Sequence, residues 1–377
     1  MPTLGAIARA WGRIGIVGFG GPPAHIALLR ELVVERRRWM PAPQFEDGLA
    51  AVNLLPGPAS TQLAIYTAWR TGGPAAAVVG GLAFVVPGLV LIVALAAVFL
   101  GSPPDWIRGA GAGAGAAVAA VAVHAGLLLL RPAWARVAPE VRWRFVIYTL
   151  LGGGSAATLG PWLVAVLIAC GLVEVGWRRL AGGGLSISPF AAFAVLAASS
   201  GTFASLAWVA FKVGALSYGG GFVIIPLMQA DAVERYGWMT DAEFLNAVAL
   251  GQVTPGPVTH TVAVVGYAAA GVPGALLAAV VAFAPSFAFV LTGAQRFDRI
   301  VANRDVRAFF DGAGPAAIGA ILGSAIPLAL ALQERWQWAV LAGAAVALLA
   351  LRRGVVLTLL VAGVVGAVAV LLGAPLA

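Results

Sequence analysis

Apolar residues run along this chain in stretches too long for the core of a soluble domain, with the polar residues collected in the gaps. A helix crossing a hydrocarbon layer of about 30 Å needs about 20 apolar residues. Clear runs lie at 75–100, 106–130, 189–216, 273–294, 308–332, 336–351 and 355–374, and weaker ones at 5–21, 143–157 and 160–177. Two further stretches, 44–71 and 243–270, are long and apolar but carry Pro-Gly-Pro in their middle. Proline inside a helix removes a hydrogen bond and clashes with the preceding turn, so each stretch predicts two short helices around a break.

Composition turns that pattern into a class. Of 377 residues, 61% are hydrophobic and only 10% charged, with a mean hydropathy of +0.96. Too few polar groups remain to wet a soluble globule of this size, so the chain reads as an all-α polytopic membrane protein with the lipid bilayer as its surroundings. The 49 glycines and 23 prolines follow no collagen period and point to close helix packing and broken helices. The net charge of +8 comes from 22 arginines and one lysine scattered between apolar runs. That distribution marks topology rather than nucleic-acid binding. Cys170, in an apolar run, allows no intrachain disulfide or Cys-rich metal site and reads as a packed small residue. Arg9 and Arg13 interrupt what would be the apolar core of a signal peptide.

Placing Arg30 with Arg36 to Arg38, Arg70, and the clusters at 131–144, 178–179, 296–307 and 352–353 on the cytoplasmic side puts 17 of the 23 basic residues inside. Neither Pro-Gly-Pro stretch then crosses the membrane, and both become re-entrant hairpins entering from opposite faces. Self-comparison shows a repeat at an offset of 199, with 17 identities in 57 gap-free positions over residues 18–74. Gly20-Gly21 pairs with Gly219-Gly220, Trp39-Met40 with Trp238-Met239, and Pro56-Gly57-Pro58 with Pro255-Gly256-Pro257. The expected organisation is a first repeat at 1–180, a Gly/Ser linker at 181–188 and a second repeat at 189–377. Five crossing spans in each half is an odd number, so the second copy is expected upside down, the architecture of secondary transporters with a site at the repeat interface. An anion channel of the same architecture stays open.

Polar groups within the apolar runs are few and therefore informative. Lys212, the sole lysine, and its repeat mate Arg13 would each supply a cation, or else snorkel or pair with a carboxylate such as Asp231 or Asp47. A half-helix beginning at Pro58 would offer free N–H groups with Ser60, Thr61 and Gln62, and one beginning at Pro257 would do so with Thr259 and His260. Each helix N-terminus carries about half a positive charge, which suits a compact oxyanion. Gly57 and Gly256 sit in the breaks themselves. Gly20, Gly21, Gly219 and Gly220 would let backbone approach a ligand, or simply let the chain turn. Asn53 and Gln252, repeat mates just before the breaks, would bind an oxyanion or cap the backbone. His260 is placed to carry a proton, His124 looks like an interhelical hydrogen bond, and His25 is left open. No histidine shares metal-ligand spacing with a cysteine or carboxylate, no cofactor motif is present, and no Ser/His/Asp frame supports an enzyme.

Together, G-F-G-G-P-P-A-H-I from Gly18, L-P-G-P-A-S-T-Q-L-A from Leu55, and F-K-V-G-A-L-S-Y-G-G-G-F from Phe211 with the later T-P-G-P resemble the chromate ion transporter family in its long, two-domain form. The likeness covers essentially the whole chain and is strongest at 11–74 and 208–273. It implies a multi-pass carrier of the bacterial inner membrane that exports chromate, with sulfate as a related dianion, a gradient as energy source, and two antiparallel halves. The matching residues are Gly20, Gly21, Pro22, His25, Pro56 to Pro58, Ser60, Thr61, Gln62, Lys212, Gly219 to Gly221 and Pro255 to Pro257. Exchange with sulfate or protons, import of sulfate or another oxyanion, and a homodimeric assembly are alternatives that the residues leave open.

Overall fold

The computed structural model describes residues 2–54, 57–159, 162–182, 201–217, 223–293 and 303–376. Among them every regular element is helical and no strand occurs. The first half holds α1 (Leu4–Val17), α2 (Pro22–Arg30) running into a π turn at Glu31–Arg36, α3 (Ala42–Leu54), α4 (Ala59–Phe99), α5 (Asp105–Ala116), α6 (Val118–Arg136), α7 (Arg142–Thr158) and α8 (Leu163–Gly182). The second holds α9 (Thr202–Leu216), α10 (Ile224–Gln229) running into a π turn at Ala230–Arg235, and α11 (Asp241–Val253). It continues with α12, a 3₁₀ turn at Val258–His260 leading into Thr261–Gly293, then α13 (Arg304–Leu330), α14 (Arg335–Ala345) with a π turn at Val346–Ala350, and α15 (Val355–Leu371). Four helices are long and apolar enough to cross a membrane, namely Ala59–Phe99, the α5–α6 unit Asp105–Arg136, Val258–Gly293 and Arg304–Leu330. The chain is an all-α, multi-pass membrane protein.

Subtracting 199 from α11 gives 42–54, the bounds of α3, and subtracting it from the second π turn gives 31–36, the bounds of the first. The Pro-Gly-Pro segments separate α3 from α4 and α11 from α12, as the proline argument requires. Each following helix breaks again, at Gly72-Gly73 in α4 and at Ala270-Gly271 in α12. Gly73 has φ 78° and Gly271 φ 60°, values that favour glycine. These glycines are 198 apart, so the backbone slips one residue from the 199 register although the sequences align without a gap. The pieces flanking each Pro-Gly-Pro are 42–54 with 59–71 and 241–253 with 258–269, each about 20 Å long or less at 1.5 Å per residue, too short to cross about 30 Å alone.

Some boundaries differ from the hydropathy reading. The run 5–21 ends as a helix at Val17, because Gly20 and Gly21 take φ of 98° and 73° and turn the chain. Ala181 and Gly182 finish α8 instead of opening a linker, while 183–188 and the start of the 189–216 run lie outside the described residues.

Glycine governs the packing. On α1, a Cβ at Gly15 would lie 2.5 Å from the carbonyl oxygen of Phe84 on α4; its repeat mate Gly214 on α9 presses on the carbonyl of Ala282 on α12. The same contact therefore closes both halves. The remaining helices interleave across the halves. α5 packs on α15 through Gly109, Gly113 and Gly366, and α13 packs on α7 through Gly152, Gly319 and Gly323. Lipid supplies no hydrophobic drive between helices, so such close backbone approach is where packing energy is available. Cys170 is buried on α8 with its carbonyl against Gly312 of α13, a packed small residue as expected.

Ion pairs fasten one end of this bundle. Glu174, buried near the end of α8, accepts from Arg144 of α7 at 3.2 Å, from Tyr148 at 3.1 Å and from Arg178 at 2.9 Å. Arg178 also reaches Asp311 of α13 at 2.7 Å, and Arg179 reaches Asp305 at 2.6 Å. The start of α7, the end of α8 and the start of α13 thus share one face of the protein. A methyl added at Gly319, against the Thr149 carbonyl, should cost about 1–3 kcal/mol by overpacking. Thermal melting in detergent checks this, with Gly319→Ala melting lower than the wild type and Gly154→Ala, where a Cβ meets nothing within 4 Å, leaving the transition in place.

Candidate functional site

The Pro-Gly-Pro breaks are joined to the opposite half of the chain by backbone hydrogen bonds. Gly57 N–H donates to the Ser217 carbonyl at the end of α9 at 2.8 Å, and Gly256 N–H donates to the Gly18 carbonyl at the end of α1 at 3.0 Å. Gly57 and Gly256 are repeat mates, and so are Ser217 and Gly18, so one joint is the copy of the other. Glycine is needed at both, since φ is 122° at Gly57 and 95° at Gly256.

The helices after the breaks begin deep in the protein. α4 starts at Ala59 and the 3₁₀ turn of α12 at Val258, so each proline is the residue before the helix and not its first, one position from where the spacing argument put it. No side chain caps either start. Ser60, Thr61 and Gln62 are 0–2% exposed, and Thr259 and His260 are 0% exposed. The first N–H groups of a helix have no partner within it, and a buried helix end without a cap is unusual.

Unpaired side-chain atoms accumulate around the same joints. Thr61 Oγ1, Ser217 Oγ, Gln252 Nε2, Thr259 Oγ1, Ser286 Oγ, His25 Nδ1 and both ring nitrogens of His260 are buried without a hydrogen-bond partner. The Val85 carbonyl lies close to the His260 ring without completing ordinary hydrogen-bond geometry. Each such group costs of the order of 1–3 kcal/mol when it stays unpaired.

The two joints are not chemically equal. His25 sits on α2 with its Nε2 2.9 Å from the Gly18 carbonyl and its ring edge-on to Phe84, 5.1 Å between centroids. His260 stands edge-on to Phe283 at 5.2 Å, with room made by Gly88 and Gly256. Phe84 and Phe283 are repeat mates, but both histidines belong to the Gly18–Gly256 joint. At the other joint their mates are Ile224 and Thr61.

The structure places Gln62 and Ser217 beside Gly57 at one joint, and His260, Gly18 and His25 beside Gly256 at the other; Ser60, Thr61, Gln252, Thr259 and Ser286 are buried. It does not bring in Arg13, which lies on the exposed face of α1 opposite Ile7, Trp11 and Ile14. Asn53 and Gly20 are exposed and Gly21 half-buried, while Gly219 and Gly220 lie outside the described residues. Lys212 is paired with Asp231, 2% exposed on the second π turn, and lies over the Trp208 ring at 5.9 Å. The first half has Leu32 where the second has Asp231, so Arg13 has no matching acid and turns outward. His124 is half-buried on α6. Among the described residues no group of three or more His, Cys, Asp or Glu side chains is placed to hold a metal ion.

These features define a polytopic helical membrane protein in which each Pro-Gly-Pro break is bonded to a helix end distant in sequence. A family model described as chromate transporter matches residues 5–175 and 204–367, starting points 199 residues apart. The chain belongs to the chromate transporter family. It is 33% identical over 342 residues to a chromate transport protein of Cupriavidus metallidurans, covering 87% of this chain and 83% of that one. It is 30% identical over 357 residues to a chromate transport protein of Pseudomonas aeruginosa, covering 86% and 80%. To a probable chromate transport protein of Synechococcus elongatus it is 29% identical over 338 residues, covering 86% and 84%. No solved structure matches the chain.

Lys212→Met removes the close partner of the buried Asp231 and leaves it only the more exposed Arg235 at 4.0 Å, so it should lower stability by about 3 kcal/mol, the low end for a buried pair broken from one side. The double variant Lys212→Met/Asp231→Leu should recover most of that loss. Urea or thermal unfolding in detergent measures both.

Proposed function

We propose that this protein is a secondary transporter that carries chromate outward across the bacterial inner membrane, with its two halves inverted and the anion held at the Pro-Gly-Pro joints. The observation that carries the reading is the pair of buried, uncapped helix starts surrounded by unpaired hydroxyl, amide and imidazole groups. Helix N-termini present N–H groups and a partial positive charge, and such donors suit a compact oxyanion without choosing a cation. The family membership and the names of the relatives supply chromate as the ion.

Inversion is supported by the ion-pair end of the bundle. α6 ends five residues before α7 begins, and α7 begins on the face shared with the start of α13. The α5–α6 unit is long and apolar enough to cross the membrane, and if it does, α5 begins on the opposite face. The start of α5 at Asp105 and the start of α13 at Arg304 are repeat mates, and on this reading they lie on opposite sides. Two copies related in that way turn one joint toward each face, which is what alternating access at a fixed central site requires.

In this reading Lys212 helps to hold the fold and neutral donors hold the anion. Everted membrane vesicles loaded through this protein should take up labelled chromate faster than vesicles without it. Thr259→Val and Ser217→Ala should each reduce uptake by about 10-fold or more, the equivalent of a lost hydrogen bond to a charged group. Uptake no faster than in protein-free vesicles would sink the proposal, and wild-type rates in both variants would remove the joints as the binding site.

A further inference from the structure

The Gly18–Gly256 joint contains two imidazoles and no countercharge. His25 Nε2 faces a carbonyl oxygen, which only accepts, so that nitrogen carries the hydrogen and Nδ1 is a bare, buried lone pair. His260 has one N–H, which the nearby Val85 carbonyl can accept, and one buried lone pair. Each ring therefore has a place for one more proton. Both rings pack against the bonded Gly18–Gly256 pair, since a Cβ at Gly18 would lie 2.7 Å from His25 Cδ2 and one at Gly256 3.0 Å from His260 Cε1.

The charged groups on the elements packed around them point elsewhere. On α1, Arg9 and Arg13 are exposed; on α2 and its π turn, Arg30 is paired with Glu35 and Glu46, and Arg36 with Glu31. Arg70 of α4 is exposed. Asp241 and Glu243 lie in the capped first turn of α11, twelve residues from the break. α12 contributes only Tyr267 among its described residues.

From this arrangement we infer that His25 and His260 form a proton site that takes up one shared proton together with the anion, making the protein a proton–dianion symporter. The inference rests on the anion binding at these joints, as proposed above. A dianion entering a dehydrated joint without a positive charge pays a large desolvation cost, and so does a proton placed on a buried imidazole without a negative charge. Each removes the other's penalty, so the two bind cooperatively, and the coupling is reciprocal by linkage. An exchange in which the proton rides on the return step would demand the reverse preference, a protonated pair when the anion is absent. Repulsion between the rings keeps the pair to one proton. The loaded site then carries one net negative charge, which an inside-negative potential drives outward, whereas two protons would leave it neutral and let the proton gradient drive it inward.

The test uses the purified full chain in lipid vesicles with the membrane potential clamped at zero and chromate as the probe. Chromate exchange at equal pH on both sides tests the transport reading by itself; its absence overturns that reading and this inference with it. With exchange present, a gradient of one pH unit should accumulate chromate about 10-fold on the alkaline side, because one pH unit is a tenfold difference in proton activity. An accumulation ratio near 1 overturns the symport, and one of about 100-fold overturns the single shared proton. His25→Gln/His260→Gln, which keeps N–H donors but cannot titrate, should slow chromate exchange at equal pH and abolish the accumulation that the pH gradient drives. Accumulation retained in that variant would mean that the proton travels on chromate itself and would overturn the histidine assignment. The wild-type ratio decides the coupling even where the variant is poorly folded.

Discussion

A backbone amide in the interior of a membrane protein must find a partner, and every Pro-Gly-Pro break creates amides and carbonyls that helix geometry cannot pair. The two bonds from Gly57 to Ser217 and from Gly256 to Gly18 answer that constraint. Each closes a break in one half with the frayed helix end of the other, so neither half satisfies its own backbone alone. That mutual dependence fixes where the halves meet, and the glycine contacts of Gly15 on Phe84 and Gly214 on Ala282 then set how closely the helices beside the joints approach. The interleaving of α5 with α15 and of α7 with α13 follows the same logic. The repeats are units of sequence, but not separate packed bodies.

Duplication makes the joints alike in backbone and leaves their side chains free to differ. The backbone bonds, the phenylalanines and the π turns recur at the repeat offset, whereas His25 faces Ile224 across it and His260 faces Thr61. The Lys212–Asp231 pair also exists in one half alone. The backbone joints are doubled, whereas the two imidazoles and the Lys212–Asp231 pair are single.

Much of this was legible in the sequence. The helices, the breaks and the offset followed from apolar run lengths, proline chemistry and the recurrence of Trp-Met and Pro-Gly-Pro, because those signals are local. Orientation around a helix was less well read. Arg13 was singled out because it mirrors Lys212, yet the spacing of Ile7, Trp11 and Ile14 already marks the packed face of α1 and puts Arg13 opposite. The partner of Lys212 was on the list of nearby acids, but only the fold chooses Asp231 over Asp47. His25 had no readable role, since its significance lies in the Gly18 carbonyl and in a ring 235 residues away in sequence.

The placement of the cations changes what kind of anion site this is. A fixed lysine or arginine in the joint would bind a dianion tightly in every conformation, and a carrier that binds too well does not release. The joints instead present hydroxyls, an amide, backbone N–H groups and imidazoles. If the anion binds there as proposed, such donors would satisfy its geometry and leave its charge largely uncompensated, so its binding would depend on a charge that arrives and leaves with it. The stabilising cation–anion pairs are kept outside the joints, at Lys212–Asp231 and at the Glu174 network, where permanence is an advantage. Separating permanent charges that hold the helices from transient charge at the joints lets the same structure be firm in its packing and reversible in its binding.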